Sequence, residues 1–164
     1  QMFYGAYVRT YIERDVRELS EIGDTVKFTK FMVAAAASTG QLLNIASLAR
    51  DVGVSQPTAD RWLSILVASN IVYLLQPYSN NITKRAVKTP KLYFLDTGLA
   101  AYLTRWNTPD VLKNGAMAGA FFESFVFLHK SGRRSFFCFQ VYQHNCLFPF
   151  LFPFEIHVNW KYHF

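Results

Sequence analysis

The sequence predicts a mainly α-helical protein with a small β component, organised around a winged helix-turn-helix. Three observations predict it. Apolar residues recur at helical spacing along the first forty residues. Two short helices with separate capping residues meet at Gly53. Two strand-like runs, 71–75 and 91–95, come after the second of these helices.

The first element is an amphipathic lead helix within residues 1–24. Tyr4, Tyr7, Val8, Tyr11, Ile12, Val16 and Leu19 form its apolar stripe, and Arg9, Glu13, Arg14, Arg17, Glu18 and Glu21 lie opposite. Glu13 and Arg17 stand in the favourable i,i+4 order. Arg14 and Arg17 read as a solvated, ion-paired face; the sharper alternative is a phosphate contact toward a nucleotide domain. Ile22-Gly23-Asp24 ends this helix, and Asp24 is placed to cap the next, from about Thr25 to Ser38. Val26, Phe28, Phe31, Met32, Ala35 and Ala36 are its expected buried stripe, with Gly40 as the stop.

Residues 44–70 carry the most information. Asn44 can cap a helix over Ile45–Val52, Gly53 supplies a left-handed turn, and Ser55 caps a second helix with Pro57 in its first turn. Ala59, Trp62, Leu63 and Leu66 come next at i, i+3, i+4 and i+7. Ala49 is small where the two helices cross, and Leu48, Val52, Val54, Ala59 and Trp62 fill the wedge between them. This is a helix-turn-helix, a motif that binds protein as well as DNA.

The runs Ile71–Leu75 and Lys91–Leu95 complete a winged helix over residues 25–105. The basic loop between them holds Lys84, Arg85 and Lys88, and no acid occurs from Ile71 to Leu95. With Lys91, these cations suit a phosphate backbone; the plainer reading is a solubilising hairpin loop. Ser55, Gln56, Thr58, Arg61 and Ser64 lie on the exposed side of the second helix, where Gln and Arg are suited to base edges. Asp60 lies on the same side and would repel phosphate.

Several segments in order carry a family resemblance: Tyr11–Arg17, Thr39–Asn44, Lys84-Arg85, Pro90–Ala100 and Gly119–Val126. Together they resemble the C-terminal domain of unknown function in prokaryotic predicted ATPases of the AAA type, over roughly residues 4–128. The resemblance implies a P-loop ATPase domain before this region, with ATP and Mg²⁺ bound there. No G-x-x-x-x-G-K-[ST] run occurs in this sequence, so no residue of it is assigned to ATP and the chain is expected to be a fragment without its motor. It also implies that residues 106–130 begin a restriction-endonuclease-like α/β segment, with a helix near Gly119–Leu128 holding Glu123. Such a site needs further carboxylates and a lysine. After Glu123 the sequence has no Asp, and its one acid, Glu155, has no Lys two residues on. The α/β segment is therefore expected to be incomplete and Glu123 to be a helix-surface or capping acid.

Residues 131–164 form a divergent tail with eleven of the 28 aromatic residues, both cysteines and three of the four histidines. Phe136–Phe154 approaches the length of a membrane span, but Gln140, Gln143, His144, Asn145, Pro149 and Pro153 argue against one. Cys138, His144, Cys146, His157 and His163 lack zinc-ligand spacing, since the cysteines stand too far apart, and no metal is expected. No acid orients the imidazoles for nucleophilic catalysis. The overall balance is 51% apolar and 17% charged, which excludes disorder. The net charge of +6 makes an anionic partner plausible. Two cysteines make no disulfide framework, and no basic head with an apolar run opens the sequence, so a cytoplasmic protein is expected. The reading is a DNA-binding or DNA-sensing module with no cofactor and no catalysis of its own. Its alternative is a protein–protein adaptor, with a partner or a second copy of the chain as ligand, and its third reading is a nuclease remnant.

Overall fold

The computed structural model describes residues 2–11, 24–78, 89–106 and 108–131. Outside them lie Arg14 and Arg17 of the expected lead helix, Lys84, Arg85 and Lys88 of the expected wing loop, and the tail sequence with its cysteines and three histidines. The described elements run α1 (Met2–Tyr11), α2 (Thr25–Ala37), β1 (Gln41–Leu42), α3 (Ile45–Val52), α4 (Gln56–Ala68), β2 (Val72–Leu75), β3 (Lys91–Phe94), α5 (Thr97–Leu103), α6 (Pro109–Lys113) and α7 (Ala118–Lys130). The protein is mainly helical, with one small antiparallel sheet of order β1-β3-β2.

Helices α2, α3 and α4 each start where a short polar side chain can hold the first free amides. Asp24 accepts from Lys27 N, Asn44 from Ser47 N and Ser55 from Thr58 N, as local sequence predicts. Gly53 ends α3 at φ 73°, ψ 46°, the left-handed conformation that lets α4 turn back across α3. Asp96 caps α5 through Gly98 N and Leu99 N, and the same Oδ1 accepts from Tyr4 Oη at 3.1 Å. One carboxylate thus starts α5 and ties α1 to it.

The core gathers one face of the larger helices and one face of the sheet. Phe28 and Phe31 of α2 pack edge-on against Trp62 of α4, with ring centroids 5.5 and 5.7 Å apart. Leu48, Ala49 and Val52 of α3, Leu66 of α4 and Leu99, Ala100 and Leu103 of α5 close the same cluster. Strand alternation sends Leu92 and Phe94 into it and turns Lys91 and Tyr93 to the opposite face. Two expected stripe residues are not buried. Val26 is 65% exposed, because at 100° per residue it falls on the side of α2 opposite Phe28, Phe31 and Met32, with Lys30 and Val33; Tyr7 is 41% exposed.

The outer face of the sheet is covered by α7. Phe127 stacks on Tyr93 at 4.4 Å and on Tyr73 at 5.5 Å, and these two tyrosines are direct cross-strand partners. Ser124, buried like Thr39, donates its hydroxyl to Ala120 O and lies 3.1 Å from Thr39 Oγ1, which in turn accepts from Phe94 N. Gly40, at φ 73°, passes so close to α7 that a Cβ there would meet Ala120 O at 3.3 Å. No described helix is long and apolar enough to cross a membrane.

Candidate nucleic-acid interface

The sequence-predicted site divides into three parts. The first is the exposed side of α4. Ala59, Trp62, Leu63 and Leu66 bury the opposite side, which fixes the rotation of the helix about its axis. Gln56, Asp60, Arg61 and Ser64 are left exposed together, on a face about 12 Å long at 1.5 Å rise per residue. Ser55 and Thr58 are brought together, with hydroxyls 2.8 Å apart, while Ser55 also caps the helix. Ser64 donates its hydroxyl to Asp60 O at 2.9 Å, a bond within the helix. Gln56 and Arg61 are the long polar side chains of this exposed face, and Asp60 stands between them.

The second part is the wing, of which Lys84, Arg85 and Lys88 lie outside the described residues. The third is Lys91, the first residue of β3, and here the structure adds a partner that local sequence does not reveal. Lys91 Nζ lies 2.6 Å from Glu123 Oε1, an ion pair between β3 and α7. Tyr93 Oη donates to the same Oε1. Lys91 is thus not a freely projecting wing cation, because strand alternation turns it onto the face that α7 covers. The hydrogen bond from Lys91, then that from Tyr93, hold the Glu123 carboxyl below its usual range, against a smaller opposing effect of burial. Burial first, and then the bond to Glu123 and its charge, push the Tyr93 phenol far above its usual value.

Glu123 is a helix-surface acid of defined role: it anchors α7 to the sheet. The sequence signal is present but non-local. Ala120 and Ser124, and likewise Glu123 and Phe127, stand at i,i+4 on α7, while Lys91 and Tyr93 alternate on β3. Among the described residues, no group of three or more His, Cys, Asp or Glu side chains is gathered to hold a metal ion.

Residues 1–110 match the family described as a domain of unknown function, DUF8612, and the chain belongs to that family. It is 35% identical over 120 residues to "Uncharacterized protein Rv2008c" of Mycobacterium tuberculosis and, equally, to "Uncharacterized protein Mb2031c" of Mycobacterium bovis. The match covers 73% of this chain and 27% of each relative, so the chain spans about a quarter of the length of the curated relatives it matches. No solved structure matches.

Proposed function

We propose that this member of the DUF8612 family is a DNA-binding or DNA-sensing winged-helix module, the C-terminal part of a longer AAA-type ATPase, with no catalysis of its own. The observation that carries the reading is α4: capped at Ser55, clamped by Trp62, and offering Gln56 and Arg61 to solvent from its first half. In a helix-turn-helix the second helix enters the major groove with its N-terminal residues nearest the base edges. Gln pairs with adenine and Arg with guanine in that groove. The chain order α2, β1, α3, α4, β2, β3, with β3 central in the sheet, supports a winged helix. In this reading Lys84, Arg85 and Lys88 contact phosphates. ATP and Mg²⁺ belong to a P-loop domain for which the relatives' additional length leaves room, and the assembly works in the cytoplasm.

The test separates base from phosphate contacts by fluorescence anisotropy with labelled duplexes. Replacing Lys84, Arg85, Lys88 and Lys91 together with Ala should weaken binding to every duplex alike and flatten its salt dependence by about three times 0.9 in the log–log slope, or four times 0.9 where Lys91 also leaves Glu123 for a phosphate. Arg61→Ala should instead change sequence preference, with a loss of about 1–3 kcal/mol at a guanine contact. An unchanged slope in the fourfold variant would remove the wing from the reading.

A protein–protein adaptor coupling the ATPase to a partner is the second reading. It is favoured by Asp60 in the middle of the α4 face and by Val26 and Leu42, 65% and 63% exposed. The nuclease-remnant reading gains no support, since Glu123 is engaged by Lys91 and Tyr93.

A further inference from the structure

The docking of α7 on the sheet does not depend on the charge pair alone. Phe127 stacks on both tyrosines, Ser124 meets Thr39, and Gly40 lets the backbone approach. Glu123 adds something different. It places a full negative charge beside the start of β3, 2.6 Å from the first cation of that strand, in a position where both side chains keep access to water at 39% and 45% exposure. An ion pair this exposed is weak, and a polyanion can exchange for one partner without unfolding the site. A phosphate and Glu123 would bind the same three ammonium protons.

We propose that Lys91 is a shared cation: paired with Glu123 in the free protein, and released to a backbone phosphate when duplex DNA docks. The carboxylate of α7 is then a built-in competitor of the DNA. This rests on the DNA-binding reading above. The exchange moves no covalent bond. Lys91 leaves one anion for another, and Glu123 keeps its hydrogen bond from Tyr93.

The experiment compares wild type, Glu123→Gln, Lys91→Ala and the double variant in anisotropy titrations at several salt concentrations. Folding is checked by circular dichroism. Glu123→Gln should bind about two- to five-fold tighter, the equivalent of one exposed ion pair no longer broken. If Lys91 reaches the DNA more fully without its competitor, the salt slope steepens by up to about 0.9. In the Lys91→Ala background the Glu123→Gln change should have no effect. A second readout uses the wild-type chain alone: the Glu123 carboxyl carbon, followed by NMR, should shift its titration toward the ordinary carboxylate range when saturating duplex is added. Wild type and Glu123→Gln binding with equal affinity and slope would overturn the shared-cation proposal while leaving DNA binding standing. So would a gain that persists without Lys91, or a Glu123 titration indifferent to duplex. Binding by neither protein would overturn both.

Discussion

Thr39→Val removes one hydroxyl from the centre of the molecule, at a point where three elements meet. Thr39 is 1% exposed, just beyond the end of α2. Its Oγ1 accepts from Phe94 N at 3.1 Å, and its proton points to Ser124 Oγ, whose own proton is given to Ala120 O. Valine has nearly the same shape, so little packing is lost. The Phe94 amide, however, is left without that acceptor inside the protein. An orphaned buried donor costs about 1–3 kcal/mol, and the lost bond to Ser124 brings the total to about 2–3 kcal/mol. Ser124→Ala should cost less, about 1 kcal/mol or below, because Thr39 keeps Phe94 N and alanine suits a helix interior. The double variant should cost less than the two added together, since their shared bond is removed only once. Urea unfolding monitored by far-ultraviolet circular dichroism reads these differences. With a slope of about 1–3 kcal/mol per M, Thr39→Val should lower the midpoint by about 1 M or more. A Thr39→Val midpoint at the wild-type value, or a larger loss for Ser124→Ala, would refute the claim that this hydroxyl joins α2, β3 and α7.

Two glycines with the same φ of 73° should respond differently to alanine. At Gly53 a Cβ meets nothing within 4 Å, so Gly53→Ala should cost only the left-handed conformation, about 1–2 kcal/mol. Gly40→Ala should cost at least about 1 kcal/mol more in the same unfolding assay, because Ala120 must move away. Glu123 makes stability depend on pH in a defined direction. Its folded-state pKa is depressed, so its contribution is present above the unfolded value of about 4.3 and lost as pH falls toward the folded one. Wild type should therefore lose more stability than Glu123→Gln between about pH 5 and 3, by less than about 1 kcal/mol for a pair this exposed, measured as urea midpoints across that range.

What is legible in the sequence is what short-range chemistry decides. Asn44, Gly53 and Ser55 act within three or four residues of themselves, and each holds its expected place in the helix pair. Trp62, Leu63 and Leu66 are buried because a three- and four-residue repeat leaves a helix one apolar side to hide. Val26 fails as a stripe residue for the same reason, since the 3.6-residue repeat puts it with Lys30 and Val33 on the side of α2 opposite Phe28 and Phe31. Strand β1, only two residues and exposed throughout, has no alternation to detect; its place comes from pairing of Gln41 with Leu92 and Leu42 with Lys91. Helix α5 is hidden by Gly98 within its first turn, although Asp96 is a strong start signal. Lys91 shows the limit most sharply. Its charge is visible, but its partner lies 32 residues away on another element, and no local rule connects them.

Binding of duplex DNA by the wing and α4 is the central claim, and the salt dependence of wild-type binding tests it most directly. Anisotropy titrations of a labelled duplex, from low to physiological salt, should give a binding constant that falls linearly on a log–log plot, by about 0.9 for each phosphate neutralised. Three or four wing cations, each neutralising one phosphate, predict a slope of roughly −2.7 to −3.6. A folded chain that binds no duplex at low salt, or binds with no salt dependence, would contradict the claim and leave α4 and the exposed apolar residues to a protein partner.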